Sequence, residues 1–168
     1  MLERVMKLIA LTSGLVIIYI LLGPLAPVNE ALVGYSPNGF VSLAPPVFLS
    51  FSAFLALMTF IVLSVLFWGT KRKWLNLLIE ASGFSFVWLN YLNFYVVYEM
   101  WRPEMAVLPF FIEITYHNAG TTVSSLNFDF GQLVLLILAI KYLNEMRSKR
   151  RGVGTVDPQQ IGERGLTY

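Results

Sequence analysis

The sequence predicts an all-α membrane protein: four transmembrane helices, N-in/C-in, with a small extracytoplasmic β-hairpin between helices 3 and 4. Three observations lead there. The first is composition: 57% of the 168 residues are hydrophobic, 13% are charged and the mean hydropathy is +0.66, whereas a soluble domain typically carries about 25% charged residues. The second is a set of four long apolar stretches, at about 8–25, 47–68, 75–101 and 128–146. The third is where the 12 Lys and Arg residues fall between them. Arg4 and Lys7 precede the first stretch, Lys71, Arg72 and Lys73 separate the second and third, and Arg147, Lys149, Arg150, Arg151 and Arg164 follow the fourth. The remaining connections hold Arg102 alone. Loops rich in basic residues stay cytoplasmic, so the alternation sets both termini inside. The expected organisation is a four-helix transmembrane domain over 1–146 and a cytoplasmic basic tail over 147–168.

The first stretch has a charged lead-in, an apolar run and a Gly23-Pro24 breaker, which resembles a secretory signal. The segment Pro24-Leu25-Ala26-Pro27 lacks the alternating small residues that cleavage needs, and a retained first span is expected. In the connection that follows, Ser36-Pro37-Asn38-Gly39 marks a turn, because Pro presets one backbone angle and Asn-Gly tolerates left-handed ones. Pro45-Pro46 opens the second stretch, where missing backbone donors do least harm. Its Ser50, Ser52, Thr59 and Ser64 are read as packing hydroxyls. Trp68 and Trp74 bracket the basic turn and Trp101 marks the opposite interface, the headgroup depth that indole rings prefer. Trp88 falls mid-span, where its N–H wants a partner.

Between the third and fourth stretches, Phe110-Phe111-Ile112-Glu113-Ile114-Thr115-Tyr116 and Thr121-Thr122-Val123-Ser124-Ser125-Leu126 alternate in part and are rich in β-branched and aromatic residues. They predict two paired strands joined across His117–Gly120. An interfacial helix over 105–116 is the competing reading. The tail beyond residue 152 has no apolar period, which predicts disorder, with Ile161, Leu166 and Tyr168 as handles for docking on a partner.

Within the third and fourth stretches, Glu80 and Lys141 each lie about five residues from the cytoplasmic end, near 8 Å deep at 1.5 Å per residue. An intramembrane ion pair between them is expected, since neither charge is cheap alone at such depth. Asn76, Glu80, Gly83 and Asn90 fall on one sector of helix 3, a polar face suited to close helix–helix contact or to lining a narrow aqueous path. Asn90, Tyr91, Asn93, Tyr95 and Tyr98 form a polar-aromatic belt near the outer end.

Chemistry-bearing residues are few. There is no cysteine and one histidine, which excludes disulfides, thiolate metal sites and any centre that needs two imidazoles from this chain. Glu113 and His117, with Glu104 or Asp129 joining, form a weak candidate metal pair, and no metal, cofactor or catalytic residue is expected. No phosphate-binding Gly-rich loop or nucleophile elbow is present. Nucleic acid is not an expected partner, because the basic residues do not form an aromatic-interleaved face. The expected partners are other membrane subunits and the lipid bilayer, with anionic lipid at the cytoplasmic face. The function expected on these grounds is a non-catalytic accessory subunit of a larger membrane complex, a respiratory (electron-transfer or terminal-oxidase) complex being preferred. A small oligomeric transporter or ion channel using Glu80 and the polar face of helix 3 is the alternative.

Overall fold

The computed structural model describes residues 2–27, 33–36, 39–118 and 121–152. The turn residues Pro37, Asn38, Ala119 and Gly120, part of the first connection and the tail beyond 152 lie outside the described residues. Helix α1 (Leu2–Leu22) runs without a break until Gly23-Pro24 turns it into a short 3-10 segment, Gly23–Leu25. A two-stranded antiparallel sheet follows, β1 (Val33–Ser36) and β2 (Gly39–Ser42), in register from Val33↔Ser42 to Ser36↔Gly39. Helix α2 (Ala44–Phe67) carries its two prolines in the first turn, and Gly69 at φ 79 reverses the chain after it. Helix α3 (Lys73–Trp101) then stops where Arg102 turns left-handed and Pro103 forbids another turn.

Beyond α3 lies a three-stranded antiparallel sheet, β3 (Glu104–Leu108), β4 (Phe111–Asn118) and β5 (Thr121–Phe128), in the order β3-β4-β5. The β3–β4 connection is the pair Pro109-Phe110, with Phe110 at φ 64. Such an angle is uncommon for a residue with a Cβ. Helix α4 (Phe130–Gly152) begins one residue after β5. The chain forms two compact units, residues 1–135 and 136–168, so the division falls inside α4.

The all-α, four-span expectation is corrected by this architecture. Two sheets are present, one in each of the connections expected outside. Among the described residues, only Leu2–Leu25 and Ala44–Phe67 are both long and apolar enough to cross a membrane. Helix α3, with 29 residues, is long enough. It carries Asn76, Glu80, Ser82, Ser85, Asn90 and Asn93, and this polarity sets it apart from α1 and α2. Helix α4 fails differently. Phe128 belongs to β5, the helix starts only at Phe130, and Lys141 interrupts it, so residues 130–140 supply about 16 Å of apolar helix at 1.5 Å per residue. A bilayer core is about 30 Å thick.

Neither qualifying helix is mostly buried within the chain, as the core helix of a soluble fold would be. Only 11% of the α1 stretch and 22% of the α2 stretch are buried. Ile9, Ile17, Leu21, Val65 and Leu66 are among the large apolar side chains left open. A helix that is apolar on every side and uncovered by protein needs an apolar surrounding.

Helix α3 is the centre of the first unit and packs against both α1 and α2. Leu75, Ile79, Ala81, Phe86 and Leu89 are buried on it, together with Ser82 and Ser85. The small hydroxyls let the backbones approach and then spend their donors on carbonyls. Ser85 Oγ is 2.7 Å from its own Ala81 carbonyl and 3.3 Å from the Thr12 carbonyl of α1. Ser52, fully buried on α2, donates to Tyr19 O of α1 at 2.8 Å. Near the other end of α3, Asn93 donates to Ser50 Oγ of α2 at 2.9 Å.

Candidate functional site

The most elaborated polar centre in the described chain is at Asp129, where α3, the three-stranded sheet and the start of α4 converge. Asp129 is 1% exposed. It is the residue just before α4, and its Oδ1 accepts the backbone N–H groups of Gly131 at 2.8 Å and Gln132 at 3.3 Å. Those are two of the donors a helix start leaves unpaired, and an aspartate there is a favoured cap. Two further donors come from α3: Asn90 Nδ2 to Oδ1 at 3.3 Å, and Tyr91 Oη to Oδ2 at 2.9 Å. A carboxylate has about four acceptor sites; three of these uncharged donors share Oδ1 and the fourth, Tyr91, takes Oδ2. Gly131 permits the approach, since a Cβ there would lie 2.9 Å from both Asn90 Nδ2 and Asp129 Oδ1.

Gln132 extends this centre to the sheet. Its Oε1 accepts Phe110 N–H at 2.9 Å and its Nε2 donates to Leu108 O at 3.1 Å. Asp129 N–H closes the arrangement on Phe110 O at 2.8 Å. The polar-aromatic belt read from the sequence therefore divides. Asn90 and Tyr91 serve Asp129, Asn93 serves α2, and Tyr95 and Tyr98 stay exposed. On the sequence alone, Asp129 is only a residue that could join Glu113 and His117 at a metal. The missed signal is Asp followed three residues later by Gln at the head of an apolar run, the pattern of a capping box.

The polar face of helix 3 is likewise used piece by piece. Asn76 donates to Thr70 O at 2.8 Å, across the turn between α2 and α3. Glu80 receives Arg4 of α1 at 2.8 Å, a charge pair in which the carboxylate side chain is 15% exposed. Gly83 is buried. Lys141, in the second unit, is 6% exposed and lies 3.9 Å from Glu145, one helical turn on.

Glu113, Thr115 and His117 alternate onto one face of β4. His117 approaches Glu104 at 3.5 Å and Thr122 Oγ1 at 3.2 Å, while Thr115 and Ser124 hydroxyls are 3.0 Å apart. Among the described residues, no group of three His, Asp or Glu side chains gathers as metal ligands would. On the opposite face, Ile112 and Ile114 are buried, and burial pushes the Tyr116 phenol above its ordinary pKa. A half-open groove of about 620 Å³ runs between α1 and α3, lined mainly by apolar side chains, among them Leu8, Val16, Phe84 and Trp88. Trp88, 64% exposed, forms part of its wall.

Comparison with protein-family models, with curated proteins and with solved structures finds no match for this chain.

Proposed function

We propose that this chain is a non-catalytic accessory subunit of a larger membrane assembly, held in the bilayer of the cell membrane by α1 and α2, with its termini on the cytoplasmic side. The observation that carries this reading is the contrast between its polar and apolar groups. The buried carboxylate of Asp129 is held by four donors from its own chain, and Glu80 pairs with Arg4. These groups hold elements together, and at 1% exposure Asp129 is closed to a substrate. The apolar side chains do the reverse. Those of α1 are mostly uncovered, and the α1–α3 groove offers a long apolar trough to a neighbour. Uncovered apolar surface of this extent marks contact with lipid or protein.

The class of assembly proposed is an energy-converting respiratory complex. A chain with one histidine and no cysteine would leave electron carriage there to its partners. Mild solubilisation of the native membrane is expected to retain this chain in a complex with haem- or flavin-bearing subunits. Recovery of the chain by itself would overturn the reading. Orientation has its own measurement, made simple by the absence of native cysteine. A thiol reagent that does not cross membranes should label Ser36→Cys from outside and leave Thr70→Cys, beside the basic turn, unlabelled.

A further inference from the structure

The three-stranded sheet has two edges, β3 and β5, and they are built differently. The β3 edge is five residues long, opens on the exposed Glu104 and lies between Pro103 and Pro109. Short length, charge and flanking proline are the devices by which sheet edges refuse further strands. The β5 edge has none of them. It is eight residues long, and its sequence Thr-Thr-Val-Ser-Ser-Leu-Asn-Phe contains no charge, no proline and no glycine. Every side chain from Thr122 to Phe128 is exposed, Val123 at 58% and Leu126 at 60%. Alternate residues of an antiparallel edge strand turn their N–H and C=O groups away from the strand they pair with. A row of this kind is matched by one chemistry, an extended peptide.

We propose that β5 pairs antiparallel with β5 of a second copy of this chain about a two-fold axis, joining two three-stranded sheets into one of six strands. The proposal does not depend on the assembly proposed above. Two features select a second copy as occupant. In an antiparallel two-fold contact the residue on the axis meets its own counterpart and the others pair in mirror order about it, so charges of one sign along the strand would repel one another, and β5 carries only hydroxyl, amide, aliphatic and aromatic groups. The faces also impose a parity. Residues directly opposite one another share a face, and a slip of one residue exchanges the faces. The axis must therefore pass through a residue and not between two, which puts it at Ser124 or Ser125, the centre of the strand. With either choice, Val123 and Leu126 each meet a hydroxyl or amide side chain of the other copy, and like hydroxyls meet at the axis, a favourable cross-strand pairing.

Full-length protein in its membrane, with single cysteines introduced into the cysteine-free chain, tests this. The residue on the axis and its counterpart have Cβ atoms about 5 Å apart, close enough for mild oxidation to join them. Ser124→Cys or Ser125→Cys should cross-link to a dimer, while Glu104→Cys on the β3 edge should stay monomeric. At whichever serine cross-links, Ser124→Lys or Ser125→Lys should weaken dimerisation about tenfold or more, since like charges then face each other, with circular dichroism unchanged. Co-expression of that Lys variant with the Glu variant of the same serine should restore a mixed dimer. Cross-linking of Glu104→Cys as readily as the β5 cysteines, capture of a different polypeptide by β5, or no cross-link from either serine would each overturn the proposal.

Discussion

Asp129→Ala is expected to be the most damaging single substitution in the described chain. It removes the acceptor of two side-chain donors on α3 and of two backbone donors at the head of α4. Loss of a helix cap costs about 1 kcal/mol, and each buried donor left unmatched costs about 1–3 kcal/mol. Water entering the vacated space recovers part of this, leaving about 4 kcal/mol. For a chain of this size that corresponds to a thermal midpoint lower by roughly 10 °C. Tyr91→Phe, which deletes only one donor, should cost about 1 kcal/mol. Thermal unfolding of the three proteins in one detergent reads the series. A melting curve for Asp129→Ala within about 2 °C of the parent, a shift of about 0.5 kcal/mol, would refute the central role given to this carboxylate.

Gly23→Val is the second. At Gly23 the chain leaving α1 lies against α2, and a Cβ there would lie 2.9 Å from Ser52 Oγ, 3.1 Å from the Phe48 carbonyl and 3.3 Å from Phe48 Cβ. Two of those three atoms belong to the backbone or its first carbon and cannot swing aside. The helices must separate, which also breaks the Ser52–Tyr19 hydrogen bond. Overpacking of this kind costs about 1–3 kcal/mol, and the upper end is expected. Gly14→Val is the control, because nothing lies within 4 Å of a Cβ at Gly14. Equal loss of folded protein from both variants in a detergent-stability assay would show that the cost is one of helix propensity or insertion and not of contact.

How far the sequence revealed this molecule depends on the distance over which each signal acts. Gly23-Pro24, Pro45-Pro46 and Arg102-Pro103 end or open helices by constraints within one or two residues, and the structure has helix boundaries at each. The alternating residues of 111–116 and 121–126 formed strands for the same local reason. The third strand, β3, escaped notice because Glu-Met-Ala-Val-Leu has no alternation of its own and is ordered by pairing with β4. The sheet of β1 and β2 was missed similarly, since four residues on either side of a turn carry too little pattern. Counting apolar residues misplaced the fourth helix, because Phe128 is as apolar in a strand as in a span. Of the candidate sites, Asn76 and Gly83 gave no hint of their separate duties. Arg4, read as a topogenic charge, is also a partner of Glu80. Asp129 was visible only as a charge, because its four donors come from segments up to 39 residues away.

Phe110 holds a left-handed backbone angle that its side chain disfavours, and beyond the pairing of β3 with β4 three hydrogen bonds from Asp129 and Gln132 hold its turn in place. The two residues that restrain the turn are made after it. A ribosome that has released β3 and β4 has produced a turn held only by the pairing of those two strands, and the chain from Asn118 to Gln132 must still be made before the latch exists. The turn is therefore fastened only once the head of α4 has been synthesised, which makes that helix start a late step in the maturation of the sheet.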